Sequence, residues 1–144
     1  MKHQKFIFKL VLLFLLICNV KSVLSQEEGL LNKTKSQIKL TETKQLYLQG
    51  NIKTALLNYK EIIALNPSSA KAHFGISRCY YKLHDYKKAK YHAEIAEKNN
   101  PKVDEDLYYL LGEIYFRLEK LKKSKTSYEK FVSEIKSKQK IKDY

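Results

Sequence analysis

Few residues of this chain are histidine or cysteine, the two types that most often bind zinc and frequently serve in catalysis. Away from the N-terminal segment they are His73, Cys79, His84 and His92. A structural zinc site needs about four such ligands, and paired histidines in these sites stand roughly three to five residues apart. No two histidines of this set have that spacing, so no metal site is predicted.

Each of these histidines also has an ordinary structural explanation. His73 occupies a packing position of a predicted helix, so a partly buried ring is expected. His84 stands at a predicted turn between helices, where it would adopt a left-handed backbone that histidine tolerates. His92 is assigned to a different helix face from Ala89 and Ala93, and it is predicted to be exposed to solvent.

Cys79 is the only cysteine beyond residue 25. A reactive thiol needs an accessible, basic environment, and neighbouring Arg78 would point about 100° away on a helix. Cys79 is therefore predicted to be a buried, inert packing residue. An intermolecular disulfide stays open as an alternative in an oxidising compartment.

Sequence motifs of catalysis are also missing. There is no glycine-rich phosphate loop, no His-Glu-x-x-His and no nucleophile elbow. The sequence predicts no catalytic residue and no cofactor, so we do not expect an enzyme.

Residues 1–25 read as an export signal rather than as part of a fold. A run of apolar residues, Leu10–Cys18, precedes small or apolar residues at Val23 and Ser25, which suit a cleavage site before Gln26. The positive start is supplied by Lys2, Lys5 and Lys9. The apolar run is about half the ~20 residues of a membrane-spanning helix, so export to the periplasm or cell envelope is predicted, with retention as an anchor as the alternative.

Lipidation at Cys18 is a further alternative for this segment. Leu15 stands three residues before the cysteine, as in lipoprotein signals, but Ile17 occupies a position where a small residue is expected. The sequence therefore disfavours a lipid anchor at Cys18.

Composition limits the rest of the chain to one small helical body. The 144 residues contain only 4 Gly and 2 Pro, too few for an all-β fold with a turn every ~8–12 residues. Charged residues make up 30% and hydrophobic residues 44%, as in a helical soluble domain.

A repeated pattern organises these helices. Pro67 and Pro101 are 34 residues apart, and so are Ala55 and Ala89. Within this period the apolar residues recur at helical spacing. The pattern predicts six helices, at 30–49, 52–65, 69–83, 86–99, 104–118 and 121–138. Gly50 is expected to end the first of them in a left-handed conformation.

The middle unit, AKAHFGISRCYYKLHDYKKAKYHAEIAEKNNP, resembles the tetratricopeptide repeat, which has this period. Its signature positions hold His73, Ile76, Ser77, Tyr80, Ala89, Ala93, Ala96 and Pro101. The first unit keeps Leu46, Ala55, Tyr59, Ile62 and Pro67, and the third keeps Tyr108, Leu111, Gly112, Tyr115, Ser124, Tyr128 and Phe131.

The resemblance implies an all-α fold, a right-handed superhelical solenoid of three antiparallel helix pairs. The repeats would occupy 36–69, 70–103 and 104–138. A signal peptide at 1–25 and a short leading segment at 26–35 would precede them, and a basic tail at 139–144 would follow.

The resemblance also implies a function, because such arrays hold a peptide or protein segment on the concave face formed by the first helix of each pair. Here that face would carry Lys44, Tyr47, Lys71, Phe74, Arg78, Tyr81, Tyr109, Glu113, Phe116 and Arg117. The Lys/Asn set with which some arrays grip a C-terminal carboxylate is absent, so recognition of chaperone tails is not expected. The alternative is a structural role, as the N-terminal scaffold module of an outer-membrane or peptidoglycan-associated envelope protein.

The net charge of +13 is weak evidence for a nucleic-acid or membrane partner. Four lysines fall within 1–25, so the remainder carries about +9. Only Arg78 and Arg117 are arginines, whereas nucleic-acid readers favour arginine, so no nucleic-acid partner is predicted. Two hypotheses stay open: weak contact of the lysine-rich C-terminal end with an anionic envelope surface, and self-association through an uncapped third repeat.

Overall fold

Helices supply all the regular structure in the described part of the chain. The computed structural model describes residue 27 and residues 29–142, with side chains as far as residue 139. The predicted signal at 1–25, including Cys18, lies outside these residues. The chain divides into two units, Met1–Lys35 and Ser36–Tyr144, and the side-chain contacts and grooves described below lie within the second.

The six predicted helices are confirmed within the described residues. They are α1 (29–48), α2 (Ile52–Leu65), α3 (Ala70–Lys82), α4 (Tyr86–Asn99), α5 (Leu107–Arg117) and α6 (Leu121–Lys142). Two boundaries differ from prediction by three residues or more, and the others agree to within one residue. The side chain of Asp104 accepts from the backbone N–H of Asp106 at 3.1 Å, a local turn that delays α5 by three residues. Helix α6 continues to Lys142 rather than ending at 138.

Each helix pair closes through a residue with a left-handed backbone. Gly50, His84 and Glu119 have φ of 84°, 61° and 58°, which confirms the expectations for the first two. After each, the next backbone N–H bonds back to the last turn of the helix, as between Asp85 and the carbonyl of Tyr80 at 3.0 Å. Glu119 was not recognised from sequence, because glutamate rarely adopts this conformation.

Consecutive helices pack against each other from α2 to α6. One buried cluster joins the first two repeats through residues such as Tyr59, Ile62 and Ile76. A second joins the last two through residues such as Ala93, Leu111 and Ile114. The result is an all-α helical-repeat solenoid. No helix of the described residues is long and apolar enough to cross a membrane.

Buried serines connect the two helices of a pair at matching repeat positions. Ser77 of α3 donates to the carbonyl of Ala89 in α4 at 2.8 Å. Ser124 of α6 donates to the carbonyl of Gly112 in α5 at 2.9 Å. The serine lies on the first helix of the middle pair and on the second helix of the last pair, but the contact occurs at the same repeat positions. Small residues at these positions allow the paired helices to approach closely.

Candidate functional site

The predicted concave face contains a groove between α1 and α3, with a volume of about 450 Å³. We call it the Arg78 groove. It is lined by Gln37, Leu40, Thr41, Lys44, Tyr59, Lys71, Phe74, Gly75, Arg78, Val103 and Asp104. Four predicted site residues, Lys44, Lys71, Phe74 and Arg78, therefore lie together in one groove.

Aromatic rings hold the guanidinium of Arg78 in place. Its central carbon lies 4.4 Å from the ring centre of Tyr47 and 5.7 Å from that of Phe74, distances typical of cation–π contact. Phe74 is only 4% exposed, so it packs into the core while its ring supports the arginine. Tyr47 was a predicted site residue, and in the structure its ring stacks on the guanidinium of Arg78.

The groove has an excess of positive charge. Lys44, Lys71 and Arg78 face one carboxylate in the lining, that of Asp104. Among the described residues none of the three cations forms an ion pair. Arginine presents a planar fork of donors that matches a carboxylate, so the geometry suits an anionic group entering the groove.

A second group of predicted residues is engaged in internal hydrogen bonds. The hydroxyls of Tyr81 and Tyr128 donate to the two carboxylate oxygens of Glu113, at 2.8 and 2.6 Å. These bonds, with nearby Arg117, hold the pKa of Glu113 below its usual range. The same carboxylate thereby ties α3, α5 and α6 together. Tyr81 and Glu113 lie apart from the Arg78 groove, and their polar atoms stabilise the stack.

The last two predicted residues lie nearer the C-terminal end of the array. Tyr109 is 47% exposed and its ring is tilted against those of Tyr128 and Phe131. Phe116 is 55% exposed and lines a different groove from Arg78. The ten predicted residues thus form a line along the array rather than one site.

That other groove, which we call the α6 groove, has a volume of about 680 Å³. It is lined by Phe116, Leu121, Ser124, Lys125, Tyr128, Glu129, Val132, Ser133 and Lys136. Most of its lining was missed as a site from sequence. The signal available was the helical spacing of Leu121, Tyr128 and Val132, which places three apolar side chains on one face of the last helix.

The histidines give one correction. His73 is buried, as predicted, and its Nε2 lies 3.0 Å from the carbonyl oxygen of Pro67. His92 is not exposed as predicted: its Nδ1 lies 3.0 Å from Nδ1 of His73, and its ring stacks on His73 and Tyr80. The prediction was wrong because residues 89, 92, 93 and 96 share one helix face.

Burial determines the acid–base behaviour of these interior groups. It lowers the pKa of His92 to about 4, with His73 and Lys60 adding to the effect. Cys79 is buried, as predicted, and this burial raises the pKa of its thiol to about 12. The described residues contain no group of three or more His, Cys, Asp or Glu side chains placed to hold a metal ion.

Comparison with known sequences gives one family. The family described as the second ARM domain of tetratricopeptide repeat protein 21 matches residues 2–141. The match therefore includes most of the predicted export signal. A search of curated protein sequences gives no match.

Solved structures with similar folds include several repeat proteins. YrrB, described as a TPR protein with an unusual peptide-binding site, has 26% identity over 66% of this chain, with a TM-score of 0.62. MamA has 24% identity over 68% of the chain and a TM-score of 0.62. The second TPR of Spaghetti (RPAP3), solved with the HSP90 peptide SRMEEVD, has 18% identity over 67% and a TM-score of 0.63.

Coverage of these structures differs. The chain spans 48% of YrrB and 57% of MamA, but 89% of the RPAP3 domain.

Proposed function

The chain belongs to the family described as the second ARM domain of tetratricopeptide repeat protein 21, and from this premise we propose that it is a non-catalytic interaction module. In this proposal the Arg78 groove binds an extended peptide or protein segment that carries a carboxylate. The observation on which the proposal rests is the guanidinium of Arg78, stacked on Tyr47 beside two lysines.

The chemistry of the groove supports a carboxylate rather than a neutral ligand. The rings of Tyr47 and Phe74 restrict the guanidinium, so little side-chain entropy is lost when it forms paired hydrogen bonds. Lys44 and Lys71 add two compact positive charges. One carboxylate, Asp104, lines the same groove, so an incoming anion would meet a net positive field.

The similarity to YrrB supports a peptide as the ligand. That protein is described as having a peptide-binding site, and its identity to this chain is 26%. The Arg78 groove combines an apolar floor, at Leu40 and Phe74, with a basic rim. Such a combination suits a segment with an apolar side chain next to an acidic one.

Selection from a library of short random peptides displayed on phage tests this proposal, with the full chain as bait. We expect the enriched peptides to contain Asp or Glu beside an apolar residue. Arg78→Gln should weaken the best of them by about tenfold or more, since a charge-assisted pair contributes ~1.5–3 kcal/mol. Lys98→Gln, an exposed change on α4 outside the groove, serves as the matched control and should leave the affinity unchanged.

Two results would contradict the proposal. Enriched peptides without acidic residues would show that the ligand needs no carboxylate. Equal affinity of the peptide for Arg78→Gln and for the unaltered chain would show that it does not bind at the Arg78 groove.

We also propose that the protein works outside the cytoplasm. The support is the arrangement of lysines, apolar run and cleavage residues in 1–25. Cell fractionation together with mass spectrometry of the mature N-terminus tests it. A chain that starts at Gln26 and is recovered from the envelope or periplasm is the expected product. An intact Met1 in the cytoplasmic fraction would contradict export.

A further inference from the structure

The α6 groove exposes large apolar side chains from two helices. Leu121 is 64% exposed, Phe116 55% and Val132 46%. Contiguous apolar surface of this kind marks an interaction site on a soluble protein. The groove is separate from the Arg78 groove and shares no lining residue with it, so its ligand is a separate question from the proposed function.

The repeat relates this open face to a joint that is closed elsewhere in the molecule. Repeat positions in α4 and α6 differ by 35 residues, as between Ala89 and Ser124. Glu94 of α4 accepts a hydrogen bond from the hydroxyl of Tyr115 in α5, at 2.9 Å. Its equivalent in α6 is Glu129, which lines the α6 groove. The face of α4 that α5 covers therefore corresponds to a face of α6 that no described helix covers.

The charge around the groove indicates the chemistry of that helix. Residues 116–139 carry eight basic and three acidic side chains. Lys125 and Lys136 lie in the lining, where one carboxylate, Glu129, is 3.8 Å from Lys125. A helix with carboxylates beside its apolar stripe would complement these lysines.

A second copy of this chain fits less well. Two α6 grooves facing each other would bring lysine against lysine. Stacking on α1 of another copy would place the groove against exposed Thr41, Glu42 and Gln45. The equivalent positions in the next repeat, 34 residues on, are Gly75, Ile76 and Cys79, which are buried in a joint. At these three positions α1 offers no apolar side chain to such a joint, although Ile38 and Leu48 of the same helix are exposed.

We propose that the α6 groove binds an amphipathic helix from a partner protein. The apolar stripe of that helix lies against Phe116, Leu121 and Val132, and its flanking carboxylates meet Lys125 and Lys136. The contact repeats the packing of α5 on α4, supplied in trans.

A designed peptide provides the probe. A fluorescent peptide of about 21 residues forms ~30 Å of helix, and it would carry Leu at i, i+3, i+4 and i+7 with Glu elsewhere. We expect saturable binding to the full chain. Val132→Asp should weaken it by about tenfold or more, because it removes apolar contact and adds a like charge. Leu57→Asp is the matched control, since Leu57 is 60% exposed on α2 and should have no effect.

A second peptide, with Lys in place of Glu, tests the charge. It should bind at least about tenfold more weakly. Equal binding of the two peptides, or no saturable binding of the Glu peptide, would overturn the proposal. Circular dichroism of each variant checks that it is folded before its affinity is read.

Other occupants are distinguished with a photoreactive residue placed at position 132 of the full chain. Crosslinking to the added Glu peptide is the expected result. Crosslinking to residues 1–26 of the same chain, or to a second copy, would overturn the proposal in favour of that occupant. Competition by phosphatidylglycerol vesicles that displaces the Glu peptide would overturn it in favour of a membrane surface.

Discussion

Tyr59 and Tyr128 occupy the same repeat position, yet their surroundings differ. Tyr59 of α2 is 5% exposed, because α3 of the next repeat lies over it, and burial raises its pKa to about 12. Tyr128 of α6 lines the open α6 groove, and among the described residues no helix follows α6. At this repeat position, one side of the tyrosine is covered by its own helix pair, and the other side is covered only where another repeat follows.

This difference separates two kinds of contact in the array. Contacts within a pair, such as those of Ser77 and Ser124, are complete in both regions. Contacts between pairs are complete at Tyr59 and open at Tyr128. Substitutions beside these two tyrosines can therefore show which contacts depend on a following repeat.

The largest difference is expected at two glycines beneath these tyrosines. A Cβ at Gly75 would stand 2.3 Å from Cζ of Tyr59, and one at Gly112 would stand 2.6 Å from Cε1 of Tyr128. Tyr59 is enclosed, so Gly75→Ala should lower the free energy of unfolding by about 2–3 kcal/mol. Tyr128 borders the open α6 groove and has more room to shift, but a shift would disturb its hydrogen bond to Glu113, so Gly112→Ala should still cost about 1 kcal/mol.

Urea denaturation of both variants measures the two free energies. Equal losses of unfolding free energy would contradict the proposed difference, because they would show that Tyr128 is as confined as Tyr59. Gly75→Ala should also weaken peptide binding at the Arg78 groove, since Gly75 and Tyr59 line it.

Acid should act on the middle repeat and not on the last. The unfolded chain protonates His92 near its usual pKa of 6.5, whereas the folded chain does so only near 4. Between these values the unfolded state binds more protons, so stability falls as the pH falls from 6.5 to 4. The slope cannot exceed about 1.4 kcal/mol per pH unit, and because the ring is still partly accessible to solvent, screening should reduce the whole loss to about 1 kcal/mol.

His92→Gln is the variant that isolates this effect. Its stability should vary less than that of the unaltered chain between pH 6.5 and 4.5, above the range where carboxylates such as Glu113 are protonated. The position equivalent to His92 in the last repeat is Ser127, which does not titrate. Parallel pH profiles for the two proteins would contradict the assignment to His92.

The paired serines should show no difference between the regions. Ser77→Ala and Ser124→Ala each remove one buried hydrogen bond to a helix carbonyl, which should cost about 1 kcal/mol in either case. Thermal or urea unfolding gives both values. A much smaller loss at Ser124 would show that the open face loosens contacts within the last pair as well.

The smallest effects are expected at the turns, and they are gains. Glu119 has a positive φ of 58°, so Glu119→Gly should raise stability by about 0.5–1 kcal/mol. His84→Gly should gain less, because Nδ1 of His84 lies 2.8 Å from the hydroxyl of Tyr86 and that hydrogen bond is lost. Destabilisation by Glu119→Gly would contradict the assumption that the left-handed turn is strained.

Most of the fold could be predicted from the sequence, because a 34-residue period fixes helices, turns and small contact positions together. The limits appear where side chains compete with the pattern. The side chain of Asp104 forms a local turn before α5, and the lysine-rich end remains helical to Lys142. His92 was misplaced because its helix face was assigned without counting the 89, 92, 93 and 96 stripe.

From the sequence, the site could be predicted only as a set of residues spread along the first helices of the three repeats. Sequence spacing places Arg78 and Tyr81 on the same helix but cannot say that one stacks on Tyr47 while the other donates to Glu113. Those partners come from other repeats, and side-chain length and direction determine them. The separation of the Arg78 groove from the α6 groove depends on such contacts.

The most direct test of the central claim is to map an acidic peptide from the phage selection onto the full chain by NMR chemical-shift changes. The largest changes are expected on Lys44, Lys71, Phe74 and Arg78, with the residues of the α6 groove unaffected. Changes centred on Leu121 and Val132, or spread evenly over the lysines, would contradict the assignment of the Arg78 groove as the peptide-binding site.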